Sequence, residues 1–313
     1  MLSIIILNHN DTYHTINCLK SLHKQSYKNF EVILIENASE LFYKKNLEVF
    51  LKTNELNDFF QNKIKIIYSN KNLGFQGGSN LGIKNSKGDL ILLLNNDTIH
   101  ETTFLEDMVN FFEKNQCIHI AQPKICFFFN KNLIWQNGGK IKKYSFNLFT
   151  PIDCGKVDNG ILKKPFKIDY AIGCALFIRR SILKKIGLLE DIYFMYGDDS
   201  DLCYRATLKG YKNIFCIPKV KIYHNTKPKF SKLFKKYYFR SRMIFCFKFF
   251  SLPLIIWQFL MQFIQLIIYS QDLKKFKIDY DFFFSSIKGL LEGIKLGIRR
   301  RIQKSNQNIS NLS

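Results

Sequence analysis

Apolar and polar residues alternate in short blocks over the first hundred positions of the chain, as in strands that alternate with helices. Apolar runs predict buried strands at 3–7, 30–35, 63–68 and 90–94, the last one ending in Asn95-Asn96-Asp97. Helical spacing predicts helices from the first strand to about residue 26, at 41–59 and after the glycine-rich stretch 72–80. This alternation predicts βαβ units and a mostly parallel sheet.

Polar residues follow each of these strands. Right-handed crossovers bring the carboxyl ends of parallel strands to one edge of a sheet. We therefore expect Asn8, Glu36, the stretch 72–80 and Asp97 to gather there. A carboxylate at this edge is placed to hold a divalent cation against a diphosphate. The alternative is a polar turn formed by Asn95 and Asp97.

The region after residue 115 is less regular. It predicts a strand at 169–179 around Gly173, strand pieces at 214–217 and 220–224 on either side of Pro218, and a helix at 201–209 that Gly210 closes. A more basic tail begins near residue 227, so we expect a catalytic domain at 1–226 and a helical extension at 227–313.

The stretch 251–270 carries no charge and is nearly long enough to span a bilayer. Gln258, Gln262 and Gln265 lie on one helical face, and positive charge lies on both sides of the stretch. This favours an amphipathic helix that lies on a membrane or packs in a bundle, and a spanning helix is the alternative. We expect helices over 251–301 that bind anionic membrane without crossing it.

The net charge of +22 indicates an anionic partner, such as a membrane surface, a nucleic acid or a phosphorylated substrate. Residues 231–313 hold 15 Lys and Arg against 4 Asp and Glu, half of the excess. None of the eight cysteines forms a Cys-x-x-Cys pair, and the chain opens on a strand pattern rather than a signal peptide. We expect free thiols in a reducing, cytosolic compartment.

Four segments occur in a telling order and spacing: Ser-Ile-Ile-Ile-Leu-Asn-His-Asn at 3–10, Glu-Asn-Ala-Ser at 36–39, Asn-Leu-Gly-Phe-Gln-Gly-Gly-Ser-Asn at 72–80, and Asn-Asn-Asp at 95–97. Together they resemble the family 2 glycosyltransferases, and the bacterial rhamnosyltransferase-like branch in particular. The resemblance covers about residues 2–250. It implies an α/β fold of the GT-A type, a mostly parallel central sheet flanked by helices, here followed by a C-terminal helical, membrane-associating extension.

By resemblance, one set of residues binds the nucleotide-sugar donor. Its Glu36 stands where the family has Asp, and the alternative for this turn is a strand end with Ser39 capping the next helix. The glycines allow a backbone to approach a ligand, and the alternative is a tight strand–helix turn. The set consists of Asn8, Glu36, Asn37, Gly74, Gly77, Gly78, Asn80, Asn95 and Asn96.

The Asn-Asn-Asp segment resembles the family's Asp-x-Asp motif with Asn95 in place of the first Asp. The resemblance implies that Asp97 binds a divalent cation, Mg²⁺ or Mn²⁺. His224, which ends a Pro-x-x-x-x-x-His segment, matches a family histidine and can join it. One carboxylate suffices if diphosphate and water supply the other ligands. A packed or exposed histidine is the alternative for His224.

The segment 193–203 resembles the family's Phe-Met-Tyr-x-Glu-Asp-x-Asp-Leu motif. Asp199 matches the catalytic base, and Asp198 stands where the family has Glu. Crowded carboxylates raise one another's pKa, which suits a base, whereas the alternative is an acidic first helical turn. Gly173 and Cys174 match the acceptor side, with close backbone packing as the alternative. The segment 237–242 resembles a Tyr-Tyr-x-x-Arg-Asn motif whose arginine could reach the diphosphate or simply begin a basic helix.

The sequence thus predicts a metal-dependent, inverting glycosyltransferase of cell-surface polysaccharide synthesis. Its expected partners are a nucleotide-diphosphate sugar, a saccharide or lipid-linked saccharide acceptor, and an anionic membrane surface. We expect it in the cytoplasm at the inner face of the membrane, with no nucleic acid bound. A nucleotidyltransferase is the first alternative, although Asn95 removes the second carboxylate of a two-metal site. A basic nucleic-acid-binding protein and a silent membrane scaffold are the others.

Overall fold

A ten-stranded sheet organises the amino-terminal two thirds of the chain. The computed structural model describes residues 1–53, 62–226, 232–272, 277–278 and 280–310. The strands of this sheet run in the order β10-β12-β6-β11-β4-β1-β2-β3, with β5 paired to β12 and β7 to β6. Their bounds are β1 Leu2–Asn8, β2 Phe30–Asn37, β3 Ile64–Ser69, β4 Leu90–Asn95, β5 Thr98–His100, β6 Ile120–Phe127, β7 Ile134–Gln136, β10 Phe166–Lys167, β11 Ala175–Arg179 and β12 Ile214–His224.

Strands β1 to β4 are parallel to one another, as the sequence predicted. Strand β11 runs antiparallel to β4 and β6, and β12 is parallel to β6. The carboxyl ends of β1, β2, β4, β6 and β12 therefore share one edge with the amino end of β11. This topology brings Asn8, Glu36, Asn95 and His224 to the same rim.

Four helices precede β6, with α1 at Thr12–His23, α2 at Leu41–Thr53, α3 at Gly74–Lys84 and α4 at Phe104–Lys114. The later helices are α5 Arg180–Ile186, α6 Asp198–Leu208, α7 Lys232–Phe249, α8 Leu252–Ser270 and α9 Tyr280–Ser310. Two short pairs complete the chain, β8 Gly139–Ile141 with β9 Phe149–Pro151, and β13 Gln271–Asp272 with β14 Lys277–Ile278. Residues 54–59 of the predicted second helix, and the predicted start of the tail at 227, lie outside the described residues.

Three predicted elements differ from the structure. The strand predicted at 169–179 begins only at Ala175. The two pieces predicted around Pro218 form one strand, β12, whose pairing with β6 shifts register between Ile217 and Lys221, so the proline lies in the irregularity. The helix predicted from 201 begins three residues earlier, at Asp198. Its acidic first turn is favourable there because a helix amino terminus attracts negative charge.

The chain divides into two compact units. The first comprises residues 1–140, 151–190 and 202–227 and contains the large sheet. The second comprises residues 141–150, 191–201 and 228–313 and contains helices α7, α8 and α9. Two short segments from the middle of the sequence thus belong with the C-terminal helices, while the predicted domain boundary at 226/227 stays a prediction.

Candidate active site

In the first unit, Asp97 and His224 meet at the rim of the sheet. The Asp97 Oδ1 atom lies 3.1 Å from His224 Nε2, with 24% of the Asp97 side chain and 7% of the His224 side chain exposed. The backbone dictates this pairing, because β5 runs antiparallel to β12 with Thr98 opposite His224. The Asn225 amide also donates to the Asp97 carbonyl at 2.8 Å.

The ring of Trp135 fixes the imidazole, because its centroid lies 4.4 Å from that of His224 with the planes at 72°. The buried His224 Nδ1 makes no hydrogen bond within the described residues. A carboxylate oxygen and an imidazole nitrogen are suitable ligands for Mn²⁺ or Mg²⁺, and adjacent octahedral ligands at ~2.1 Å lie ~3 Å apart. In the part of the chain that the structure describes, no three His, Cys, Asp or Glu side chains form a metal cluster. The pair therefore fits a cation that takes its remaining ligands from a diphosphate and water.

A chain of hydrogen bonds ties the ends of β1, β2 and β4 together. Asn96 Nδ2 donates to Thr15 Oγ1 at 2.9 Å, and that hydroxyl donates to Asn8 Oδ1 at 2.9 Å. Asn8 Nδ2 donates to Glu36 Oε2 at 2.5 Å, and the other Glu36 oxygen accepts from the Ser39 amide at 2.8 Å. Asn8 and Glu36 are fully buried. Glu36 thus orders the turn, and its contact with a nucleotide stays a prediction.

Asn37 connects the end of β2 to the glycine-rich turn. Its Oδ1 accepts from the Leu73 amide at 2.9 Å, and its Nδ2 donates to Asn72 Oδ1 at 3.2 Å and to the Gly74 carbonyl at 3.3 Å. Gly74 has a φ of +68°, in the left-handed region that favours glycine. The turn and the end of β2 are therefore one hydrogen-bonded assembly at the rim.

The other glycines of this segment serve packing. A Cβ on Gly78 would lie 2.5 Å from Leu7 Cδ2, and one on Gly77 would lie 2.8 Å from Leu73 Cβ. Asn80 exchanges two hydrogen bonds with the backbone of Leu189, at 2.8 and 3.1 Å. For Gly77, Gly78 and Asn80 the structure thus shows contacts within the protein, and donor contacts stay predictions.

Gly173 and Cys174 lie beside the same rim. A Cβ on Gly173 would lie 2.9 Å from the Phe75 ring, so the glycine makes room for a side chain of the glycine-rich turn. The Cys174 carbonyl accepts from the Asn95 amide at 3.0 Å. Burial raises the pKa of the Cys174 thiol well above its usual value, and the Asp97 charge raises it further. The thiol is therefore neutral, and a role on the acceptor side stays a prediction.

In the second unit, the acidic segment 191–201 is held by side chains of α7. The Asp201 carboxylate is fully buried and accepts from Tyr193 Oη at 2.9 Å and from Lys248 Nζ at 2.6 Å. The guanidinium of Arg240 donates to the carbonyls of Tyr193 at 2.6 Å and of residue 192 at 2.8 Å. The Ser241 hydroxyl donates to the Met195 carbonyl at 3.0 Å.

The two predicted catalytic carboxylates differ in environment. Asp198 is 3% exposed, whereas Asp199 is only partly buried and accepts from the Ser200 amide at 2.6 Å. The preceding turn is backbone-strained, since Phe194 and Tyr196 both have a φ of +61°. A partly exposed carboxylate can receive a proton from a bound hydroxyl, which favours Asp199 over Asp198 as the base.

Sequence reasoning missed the residues that hold these groups. Trp135 lies 89 positions from His224, and Lys248 lies 47 positions from Asp201, so spacing gave no signal for either. Arg240 was considered for the diphosphate, but its guanidinium instead binds two backbone carbonyls and the Glu292 carboxylate at 3.1 Å. All eight cysteines are free, as predicted.

The family model described as Glycosyl transferase family 2 matches residues 3–187, more than half of the chain. The chain belongs to glycosyltransferase family 2. The matched part contains β1 to β4, the glycine-rich turn and Asp97. The family resemblance drawn from the sequence is thus confirmed, and the rhamnosyltransferase-like branch stays a prediction.

Two curated relatives come from glycan synthesis. The low-salt glycan biosynthesis hexosyltransferase Agl10 of Haloferax volcanii is 27% identical over 215 residues, covering 66% of this chain and 61% of that protein. The amylovoran biosynthesis glycosyltransferase AmsB of Erwinia amylovora is 26% identical over 227 residues, covering 71% and 69%. The chain therefore spans less than two thirds of the length of Agl10.

Solved structures support the fold. GalNAc-T7, crystallised with UDP, GalNAc and Mn²⁺, superposes with a TM-score of 0.62 at 17% identity over 78% of this chain and 48% of that one. Residues 1–349 of S. aureus TarS superpose with a TM-score of 0.54 at 14% identity over 94% and 80%. The first unit and its relatives share the predicted GT-A-like arrangement of a mostly parallel sheet with flanking helices.

Proposed function

We propose that the protein transfers a sugar from a nucleotide-diphosphate donor to a saccharide acceptor, with inversion at the anomeric carbon. The pairing of Asp97 with His224 at the carboxyl edge of the sheet carries the proposal. It sits beside a glycine-rich turn whose helix amino terminus favours negative charge, so a diphosphate has partners on two sides. Family 2 membership and the glycan-synthesis relatives support the same reaction class.

Asp97 and His224 would hold Mg²⁺ or Mn²⁺, which when bound neutralises charge on the departing nucleoside diphosphate. Trp135 keeps the imidazole in place, and the β5–β12 ladder keeps Asp97 beside it. Asn8, Asn37 and Asn96 shape the donor side through the hydrogen bonds that join the ends of β1, β2 and β4. These contacts pre-organise the rim before substrate arrives, which lowers the cost of ordering it.

Asp199 is the proposed general base. It accepts the proton of an acceptor hydroxyl while the oxygen of that hydroxyl attacks the anomeric carbon from the face opposite the diphosphate. The carbon–oxygen bond to the diphosphate breaks in the same step, so no covalent glycosyl-enzyme is needed. Asp198 is too buried to share this role and completes the acidic turn.

The acceptor is proposed to be lipid-linked, with the protein at the inner face of the cytoplasmic membrane. The positive excess in residues 231–313 supports this location. Each Lys or Arg near an anionic leaflet contributes about 1 kcal/mol. One helix, Leu252–Ser270, is long and apolar enough to cross a membrane, which is weak evidence by itself.

The test is a screen of nucleotide-diphosphate sugars with the full chain, with and without Mn²⁺ or Mg²⁺, against extracted lipid-linked acceptors. We expect cation-dependent release of nucleoside diphosphate, stimulated by acceptor, and a product of inverted configuration by NMR. Retained configuration would contradict the direct displacement. Pyrophosphate release from a nucleoside triphosphate would instead establish nucleotidyl transfer.

A further inference from the structure

Helix α8 turns its polar residues toward the protein. Gln258, Gln262 and Gln265 are all fully buried. Gln258 donates to the Lys143 carbonyl at 2.6 Å, and Gln265 donates to Asn147 Oδ1 at 2.5 Å. The sequence predicted these glutamines to mark one helical face, and the structure shows that this face is the inner one. A helix of a water-soluble protein has the opposite arrangement.

The outer face of α8 is apolar. Single exposed apolar side chains are common, but an extended apolar patch marks an interaction site. No residue from 252 to 270 is charged. The outer apolar side chains are 38–62% exposed: Leu252, Ile256, Trp257, Leu260, Phe263, Ile264, Ile267, Ile268 and Tyr269.

Helix α9 carries a second exposed apolar face. Tyr280, Phe284, Leu291, Ile298 and Ile302 are 43–65% exposed. Their spacing of four, seven, seven and four residues keeps them within about 40° of one line along an α-helix. They form what we call the α9 stripe.

The opposite face of α9 is closed by packing. Gly289, Gly293 and Gly297 lie against α7, where a Cβ on Gly289 or Gly293 would overlap the carbonyl oxygens of Lys236 or Arg240. The glycine face therefore belongs to the helix pair, which leaves the stripe as the face that has no helix of this pair against it.

Positive charge accompanies the stripe. Lys288, Lys295 and Arg299 are exposed and follow one flank of it along the helix. The acidic Glu292 is engaged by Lys236 at 2.9 Å and Arg240 at 3.1 Å. An apolar line with cations along its flank is complementary to acyl chains beneath anionic headgroups.

We propose that the outer face of α8 and the α9 stripe bind the surface of an anionic lipid bilayer, with both helices lying in its plane. The 19-residue α8 is about 28 Å long and could nearly span. However, residues 142–147, with two lysines and free carbonyl groups, run beside its middle at Gln258 and Gln265. A spanning α8 would place these groups in hydrocarbon, where they are strongly disfavoured.

The first test is flotation of the full chain with vesicles of phosphatidylcholine alone or mixed with phosphatidylglycerol. We expect flotation only with the anionic vesicles, and at least about tenfold less for Phe284→Glu/Leu291→Glu, because charge opposes insertion. The control is Phe42→Glu/Leu208→Glu, two residues of the first unit with 67% and 61% exposure. Equal flotation of wild type and stripe variant would overturn the proposal.

The second test measures depth. Replacing Trp257 by Phe and Phe263 by Trp places a fluorophore near the middle of α8. An in-plane helix predicts stronger quenching by lipids brominated near the headgroup than by lipids brominated at the chain end, and a spanning helix predicts the reverse. Sedimentation of the stripe variant without lipid covers the remaining occupant. A wild-type dimer that becomes monomeric in this variant, with no lipid quenching, would show that the stripe binds a second copy instead.

Discussion

The two carboxylate segments of this protein are held in different ways. Asp97 is placed by backbone pairing, since β5 lies against β12 and the Asp97 carbonyl accepts from Asn225. The segment 191–201 is placed by buried side chains of α7, which bind its carbonyls and the Asp201 carboxylate. The first arrangement tolerates side-chain change, whereas the second depends on each side chain. Mutations can separate these two behaviours.

The largest effect is expected at Asp97. Asp97→Asn should reduce transfer by about 10³-fold or more, because charge stabilisation of the leaving diphosphate is lost. The fold should persist, since the ladder that places residue 97 is backbone. Calorimetry should show that cation-dependent binding of nucleoside diphosphate is weakened as well. Undiminished turnover by this variant would remove Asp97 from the site.

Asp199→Asn should cost about 10²–10⁴-fold in rate, the usual scale for a lost general base. Binding of nucleoside diphosphate with the cation should be unchanged, which distinguishes this variant from Asp97→Asn. Asp198→Asn is the comparison and should cost less. If it costs more, the two carboxylates have exchanged roles.

Lys248→Met tests the side-chain support. It leaves the fully buried Asp201 without its cation, which should lower the free energy of unfolding by about 3–5 kcal/mol and slow transfer without weakening donor binding. Lys236→Met is the matched control, because its partner Glu292 is 35% exposed and such pairs contribute about 1 kcal/mol or less. Partial rescue by Lys248→Met/Asp201→Asn, measured by denaturant unfolding, is expected. Equal effects of the two lysine variants would contradict this support.

The smallest effect concerns pH and the sheet. Burial would raise the pKa of Asp158, but hydrogen bonds from Lys124 and Lys221 outweigh it and bring the pKa to about 2. Since this lies below the unfolded value near 4, the carboxylate stabilises the fold above about pH 4, and the contribution disappears as pH falls toward 2.

Asp158→Asn should therefore cost about 2 kcal/mol at pH 7, because the amide oxygen still accepts a hydrogen bond while the buried Lys124 loses its counter-charge. Unfolding of both proteins followed from pH 7 to pH 2 should show the difference shrinking. A constant difference would mean that the carboxylate charge does not stabilise this cluster.

The parts of the fold that follow local pattern were predictable. Strands β1 to β4 and the rim residues Asn8 and Asp97 follow from apolar runs and the handedness of crossovers. Pattern could not show that Pro218 lies within one continuous strand, because a register irregularity depends on the neighbouring strand. Nor could it give the direction of the α8 glutamines, since helical periodicity identifies a face but not what covers it.

The support of the acidic segment was unpredictable for another reason. Lys248 and Asp201 meet across 47 residues, and a lysine in a basic helix looks like any solvated charge. Asp201 itself was read as a helix-capping residue, but its carboxylate lies in a buried ion pair. Long-range side-chain pairs leave no periodic signal in a single sequence.

The hold of α7 on residues 192–201 has a consequence for protein engineering. The family match ends at residue 187, and a chain shortened to 226 would keep Asp97, His224 and the whole large sheet. It would also keep Asp198 and Asp199, but without Arg240, Ser241 and Lys248 their backbone would have no partner from that helix. Such a minimal enzyme should bind donor and fail in turnover, so the smallest transplantable catalytic module of this chain extends at least to the end of α7 at Phe249.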